Sequence, residues 1–228
     1  MNDYLIFGAS GLTGNYFLNQ VKKEGLKYHL FVRSLIPNEQ KNNQTIFNFE
    51  NIKDLPPSKN LVICLGYPLN FKELIFMDKK TKEAFKHVDY DLVMKIAKKA
   101  KDSDIPNIAI ISAVGSKLNS LNFYLDTKAK MENDVLSLEF NKTFFAKPGH
   151  LLGPRHDSRI DNWVRVIEFS GKVFGYFFIG PFKKYKNIEA SKVAEELFRK
   201  INKHSSISNY LIKINERKWY FKDYRDGL

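Results

Sequence analysis

Asp3-Tyr4-Leu5-Ile6-Phe7-Gly8-Ala9-Ser10-Gly11-Leu12-Thr13-Gly14 is the stretch on which the reading of this 228-residue chain turns. A short apolar run passes directly into three glycines at Gly8, Gly11 and Gly14. Beyond them Tyr16, Phe17 and Val21 recur at helical spacing. The pattern predicts a buried strand, a tight turn and a helix, which is the context that gives spaced glycines a meaning. Gly8 permits the turn, Gly11 lets backbone come close to a pyrophosphate, and Gly14 lets the helix lie against the strand. The first turn, through Leu12, presents N–H groups and a partial positive charge to an anion. Ser10 and Thr13 add hydroxyls.

Outward from that loop, short apolar runs alternate with longer segments of helical period, as expected of a parallel sheet covered on both faces. Strands are predicted at Asp3–Phe7, Tyr28–Val32, Thr45–Phe49, Leu61–Leu65, Ile108–Ile111 and Thr143–Ala146. Helices are predicted over about Lys79–Lys101, with Val88, Leu92, Ile96, Ala97 and Ala100 as the buried stripe, and over Asn122–Leu138. Past Gly149 the pattern loosens. A helix near Asp161–Phe169, an aromatic run from Val173 to Phe182, a helix at Glu189–Ile201 and a strand at Tyr210–Ile214 are expected. The fold class is therefore α/β: a doubly wound, mainly parallel Rossmann sheet with helices on both faces and a small C-terminal substrate region. We expect residues 1–228 to form one domain, with residues 150–228 contributing the substrate or cap region.

Two further features bear on chemistry. Arg33 follows the second strand, where an NAD-selective fold places an acidic residue; its forked donors suit a 2′-phosphate, which favours NADP(H) over NAD(H). Tyr124 and Lys128 stand four apart in a helical segment and so share one face. Ser112, twelve residues before the tyrosine, ends the fifth strand. A phenol with an ordinary pKa of about 10 exchanges protons poorly at neutral pH, and a neighbouring ammonium favours its ionised form. A serine hydroxyl would steady a carbonyl oxygen. The expected catalytic set is Ser112, Tyr124 and Lys128, with Ser116 as the alternative hydroxyl.

The glycine loop, Arg33, Cys64-Leu65-Gly66, Ser112 and Tyr124-Leu125-Asp126-Thr127-Lys128 together resemble the atypical short-chain dehydrogenase/reductases, above all the HIV Tat-interacting oxidoreductase group. Val88-Asp89-Tyr90-Asp91, the run from Lys147 to Gly153, and Arg155 to Arg159 ahead of Trp163 extend the likeness over roughly residues 1–170. The resemblance implies that Gly8 to Gly14 and Arg33 hold the NADP phosphates and that Leu65 and Gly66 line the adenosine-ribose side. It further implies that Pro148, Gly149 and Leu151 border the nicotinamide, with Tyr124 and Lys128 touching the cofactor as well as the substrate. Ala113 departs from the pattern, since relatives often carry a second serine there. The expected reaction is hydride transfer between NADPH and a carbonyl or alcohol. The alternative is a non-catalytic NADP(H)-binding sensor that recognises a regulatory protein partner. A sugar-nucleotide epimerase or dehydratase, which needs a larger C-terminal lobe, stands third.

Composition narrows the remaining classes. The net charge is +12, but the lysines are dispersed, which describes a solvated basic surface rather than a nucleic-acid site. Cys64 is the sole cysteine, excluding a disulfide framework within the chain, and its apolar strand marks it as core. The five histidines show no metal-ligand spacing, so no metal is expected. His150 lies near the proposed cleft, to contact substrate or to pack. The aromatic run, the tail Trp219-Tyr220-Phe221, and Arg155 with Arg159 each admit a substrate-binding or a structural role. No apolar run approaches the length of a membrane span. We expect a cytoplasmic monomer or homodimer acting on a small molecule, with no nucleic acid or membrane partner.

Overall fold

The computed structural model describes residues 1–48, 52, 54–149, 151–152, 188–202 and 209–213. Its centre is a seven-stranded, all-parallel sheet in the order β3-β2-β1-β4-β5-β6-β9. The strands are β1 (Asn2–Phe7), β2 (Tyr28–Val32), β3 (Gln44–Ile46), β4 (Ser58–Ile63), β5 (Asn107–Ile111), β6 (Lys142–Lys147) and β9 (Asn209–Lys213). A separate parallel ladder pairs β7 (Leu151–Leu152) with β8 (Ile188–Glu189).

Both faces of the sheet are buried, and β1 shows why its run is continuously apolar. Leu5 and Phe7 point into one core with residues of β4, β5 and the helices α4 (Val93–Asp102) and α5 (Phe123–Leu136). Tyr4 and Ile6 point into the other, with Phe17, Leu18 and Val21 of α1 (Leu12–Lys23) and Val193, Leu197 and Ile201 of α6 (Ala190–Asn202). A strand covered on both sides has no polar face to alternate with. The expected doubly wound sheet is the observed one.

The strand order reverses between β1 and β4, and the ends of these two strands open the crevice in which such folds bind ligands. Element bounds differ from expectation in two instructive places. The third strand stops at Ile46 and pairs only with β2, so it is a short edge strand. The long helix expected over Lys79–Lys101 is instead α3 (Lys79–Lys86), a π-helical turn at His87–Leu92, and α4. Val88 is half-buried, whereas Asp89, four residues after the buried Phe85 and three before the buried Leu92, is 2% exposed. A short α2 (Phe71–Ile75) precedes α3 and is closed by a reciprocal cap between Asn70 and Glu73. The expected helix near residues 161–169, the aromatic run, His150, Arg155, Arg159, Trp163 and the 219–221 tail lie outside the described residues.

Candidate functional site

The glycine loop has the geometry its spacing demands. Gly8 takes φ +83°, and a Cβ there would lie 2.5 Å from the carbonyl oxygen of Cys64 at the end of β4. A Cβ on Gly14 would lie 2.1 Å from the carbonyl oxygen of Gly8. Both positions are forced by close backbone approach. Gly11 is less constrained: a Cβ there would meet the Gly8 carbonyl oxygen at 3.3 Å, a tight contact but not a forbidden one. That bare position, at the N-cap of α1 with no side-chain cap and no acidic residue in the first turn, leaves a cradle suited to a pyrophosphate. Ser10 is exposed at the rim, Leu12 is half-buried and Thr13 is buried. Arg33 stands exposed just beyond β2, and no carboxylate among the described residues pairs with it. Across the crevice Leu65 and Gly66 continue from β4. Burial pushes the Cys64 thiol up to about 12, consistent with a packed side chain rather than a nucleophile.

The other half of the site is built from side chains. Asn122 caps α5 by accepting from the N–H of Leu125, which sets the helix carrying Tyr124 and Lys128 on one face. The Tyr124 ring packs 5.3 Å from that of Phe85 on α3. Its phenol is raised above the ordinary value by burial, against a lowering pull from Lys128 that the Asp89 carboxylate offsets only in part. The Lys128 ammonium lies 2.7 Å from the Asp89 carboxylate, with both side chains buried, and also donates to the Ile111 carbonyl at 3.3 Å. Burial alone would lower Lys128, but Asp89, Tyr124 and Glu132 together hold it above its ordinary value. The second Asp89 oxygen accepts the Tyr67 N–H at 2.7 Å.

Ser112 is 4% exposed, and its hydroxyl donates to the carboxylate of Glu132. Ser116 donates to the same oxygen at 2.8 Å, while the other oxygen pairs with Lys147 at 2.5 Å. Both candidate hydroxyls are thus engaged by one buried carboxylate. Pro148, at the end of β6, accepts the Val114 N–H at 3.0 Å, so the segments after β5 and β6 are tied together. Gly149 and Leu151 follow immediately, both half-buried.

Asp89, Glu132 and Lys147 were not singled out by residue-level reading. Glu132 had a signal available, because it falls on the buried face of α5 with Lys128, Met131 and Val135. A carboxylate and a lysine in an apolar stripe announce a buried pair. Asp89 had one as well, because it stands at helical spacing with the buried Phe85, Leu92, Val93 and Ile96. Among the described residues no group of three His, Cys, Asp or Glu side chains could hold a metal ion, and no helix is long and apolar enough to cross a membrane.

The parallel sheet and the glycine turn at its reversal point define a Rossmann fold, with the tyrosine–lysine pair carried on α5. Solved structures agree on the fold. MoeE5 in complex with UDP-glucose and NAD superposes with a TM-score of 0.70 at 10% identity, over 96% of this chain and 78% of that one. Human epimerase family protein SDR39U1 with NADPH gives a TM-score of 0.63 at 13% identity, over 91% and 72%. No family model matches the chain. It is 33% identical over 175 residues to Protein FMP52, mitochondrial, of Eremothecium gossypii, covering 74% of this chain and 75% of that protein. The match to the Debaryomyces hansenii protein of the same name is 42% over 77 residues, 34% of each chain. Protein HTATIP2 of Rattus norvegicus is 30% identical over 166 residues, covering 70% of this chain and 66% of that protein, as the likeness to the HIV Tat-interacting group led us to expect. The chain belongs to the FMP52 family.

These relatives correct one expectation. The FMP52 proteins carry "mitochondrial" in their names, which points to mitochondria and away from the cytoplasm. A lone cysteine fits a reducing compartment and does not separate the cytosol from other such compartments.

Proposed function

We propose that the chain binds NADP(H) and transfers hydride between it and a carbonyl or alcohol substrate, with Tyr124 as acid and base. The observation that carries the reading is the open cradle at Gly11, bounded by two glycines that backbone contacts enforce. Gly8 to Gly14 would hold the pyrophosphate, Arg33 the 2′-phosphate, and Leu65 and Gly66 the adenosine-ribose side. Pro148, Gly149 and Leu151 would border the nicotinamide. When bound, the cofactor supplies or accepts the hydride. Tyr124 moves the proton at the substrate oxygen, Lys128 holds the ribose, and Ser112 is the candidate hydroxyl for the same oxygen. The proposed partner is a small carbonyl or alcohol compound, handled by one domain whose residues beyond 150 complete the substrate region.

A second reading is favoured by one observation. Ser112 and Ser116 both donate to Glu132, and the neighbouring position is Ala113. A binding protein that senses the cofactor and recognises a regulatory protein partner needs no free hydroxyl beside the tyrosine.

Calorimetric titration of wild type and Tyr124→Phe with NADPH and NADH, followed by a screen of aldehydes and ketones for NADPH oxidation, separates these readings. A reductase binds NADPH in both proteins and turns over only with Tyr124 present. A sensor binds in both and turns over in neither. Loss of Arg33 should narrow the preference for NADPH by about tenfold, the scale of one charge-assisted phosphate contact. Absence of binding in wild type would falsify both.

A further inference from the structure

The Tyr124 phenol is usually expected to be activated by the bare charge of a neighbouring ammonium. Here that ammonium is not bare. Lys128 faces a carboxylate 2.7 Å away, and the exposures of the two side chains are 6% and 3%. The pair is held from both sides, because Asp89 also accepts the Tyr67 N–H and Lys128 also donates to the Ile111 carbonyl. A paired charge in a poorly solvated setting acts on a third group as a dipole, whose influence falls away much faster than that of a lone charge. The next carboxylate along α5, Glu132, is balanced in turn by Lys147 at 2.5 Å. Two cations and two carboxylates are therefore buried together.

We propose that Asp89 is a positioning residue that offsets part of the charge of Lys128 at Tyr124, so that the site keeps a neutral phenol and is built to donate a proton to a carbonyl oxygen. This rests on the reading of Tyr124 as the acid and base. In that direction a hydride from the reduced nicotinamide reaches the carbonyl carbon as the Tyr124 hydroxyl proton passes to the oxygen. The carbonyl becomes an alcohol and NADPH becomes NADP⁺. Among the described residues, the charged groups acting on Tyr124 are Lys128 from α5 and Asp89 from the π-helical turn; α3 presents only the Phe85 ring. Glu132 enters through its effect on Lys128. Burial raises the phenol most, Lys128 lowers it, and Asp89 offsets part of that lowering, so the balance is upward. The substrate class this favours is an aldehyde or ketone to be reduced, rather than an alcohol to be oxidised. Asp89 lies within the π-helical turn. Such turns recur at functional sites.

The test is an alkaline titration of the near-ultraviolet tyrosinate band on the full chain, with Tyr124 isolated by subtracting the matching Tyr124→Phe protein. In wild type Tyr124 should ionise above the ordinary tyrosine value of about 10. In Asp89→Asn, which leaves the ammonium uncompensated, it should ionise at least about one pH unit lower, a tenfold change in its acidity. Asp89→Glu should return it toward wild type, which a purely structural role for the side chain would not do. Asp89→Asn/Lys128→Met buries neither charge, so it carries the test if the single variant does not fold. There Tyr124 should ionise within about half a unit of wild type. Unchanged ionisation in Asp89→Asn, or a clear rise in the double variant, overturns the proposal. NADPH titrated into the same samples keeps the two readings apart. Binding with an unmoved tyrosine sinks only the role of Asp89, and no binding sinks the cofactor reading whatever the tyrosine does.

Discussion

The two ends of the candidate site are built from different materials. At the phosphate end the determinants are backbone: Gly8 and Gly14 are fixed by carbonyl oxygens at 2.5 and 2.1 Å from where a Cβ would stand. At the tyrosine end they are charges: Asp89 on Lys128, and Glu132 on Lys147, Ser112 and Ser116. A backbone cradle tolerates no added atom but needs no partner. A buried ionic cluster accepts changes of shape more readily than it accepts the loss of one member, because each remaining charge is then left unsolvated. The first end sets where an anion can lie, whereas the second sets what protonation state meets it.

The largest effect should come from Gly14→Ala. A Cβ 2.1 Å from a carbonyl oxygen cannot be relieved by turning a side chain, so α1 must leave β1. We expect a loss of about 4 kcal/mol or more in urea unfolding, at the extreme of single substitutions. Gly11→Ala should lose only about 1 kcal/mol, yet weaken NADPH binding about tenfold or more, because the new methyl group occupies the cradle rather than the fold. Equal stability losses in the two variants would erase the distinction between a glycine the fold needs and one the ligand needs.

Next in size is Glu132→Ala, the counterpart at the ionic end. It strands the Lys147 ammonium and two hydroxyls, for an expected cost of about 3 kcal/mol in the same measurement. Glu132→Gln keeps an acceptor for Ser112 and Ser116 while removing the charge opposite Lys147. It should cost clearly less than alanine, though more than Gly11→Ala. If glutamine and alanine behave alike, the ion pair with Lys147 carries the whole contribution and the serine contacts carry none.

The same contrast explains what could be read in advance. The strand, the glycine turn and the helix are local features whose steric demands recur at fixed spacing, and the two-sided burial of the sheet shows directly as unbroken apolar runs. The Tyr124–Lys128 pair was legible for a similar reason, since four residues make one helical turn. The partners of those side chains were not. Asp89 and Lys128 are 39 residues apart in sequence, and although Asp89 shares helical spacing with the buried Phe85, Leu92 and Ile96, nothing local marks Lys128 as its partner. Ser112 was legible as a hydroxyl at the end of β5, but its bond to Glu132 depends on how α5 crosses that strand. Spacing can nominate a side chain; long-range packing decides what it is bonded to.

The smallest predicted effect dissects the two ends by pH. Cys64, whose carbonyl confronts Gly8, has its thiol pushed up from 9.0 to about 12 by burial. The folded protein therefore keeps a proton that the unfolded chain releases first, and folding stability is complete below about pH 9 and falls as pH rises from there. Tyr124 and Lys128 are also raised, so they contribute losses of the same sign, but these begin only above about 10, where the free side chains titrate. The alkaline limb of a stability curve should accordingly begin at the phosphate end and continue above about 10 with the raised tyrosines, Tyr124 together with Tyr4, Tyr28 and Tyr90, and with Lys128. Cys64→Ala removes the first part. Although its midpoint in urea is lowered overall by the lost packing, it should vary less than wild type between about pH 9 and 10, then fall in parallel above that. Wild type and variant falling in parallel from about pH 9 would mean that the thiol reaches water in the folded protein.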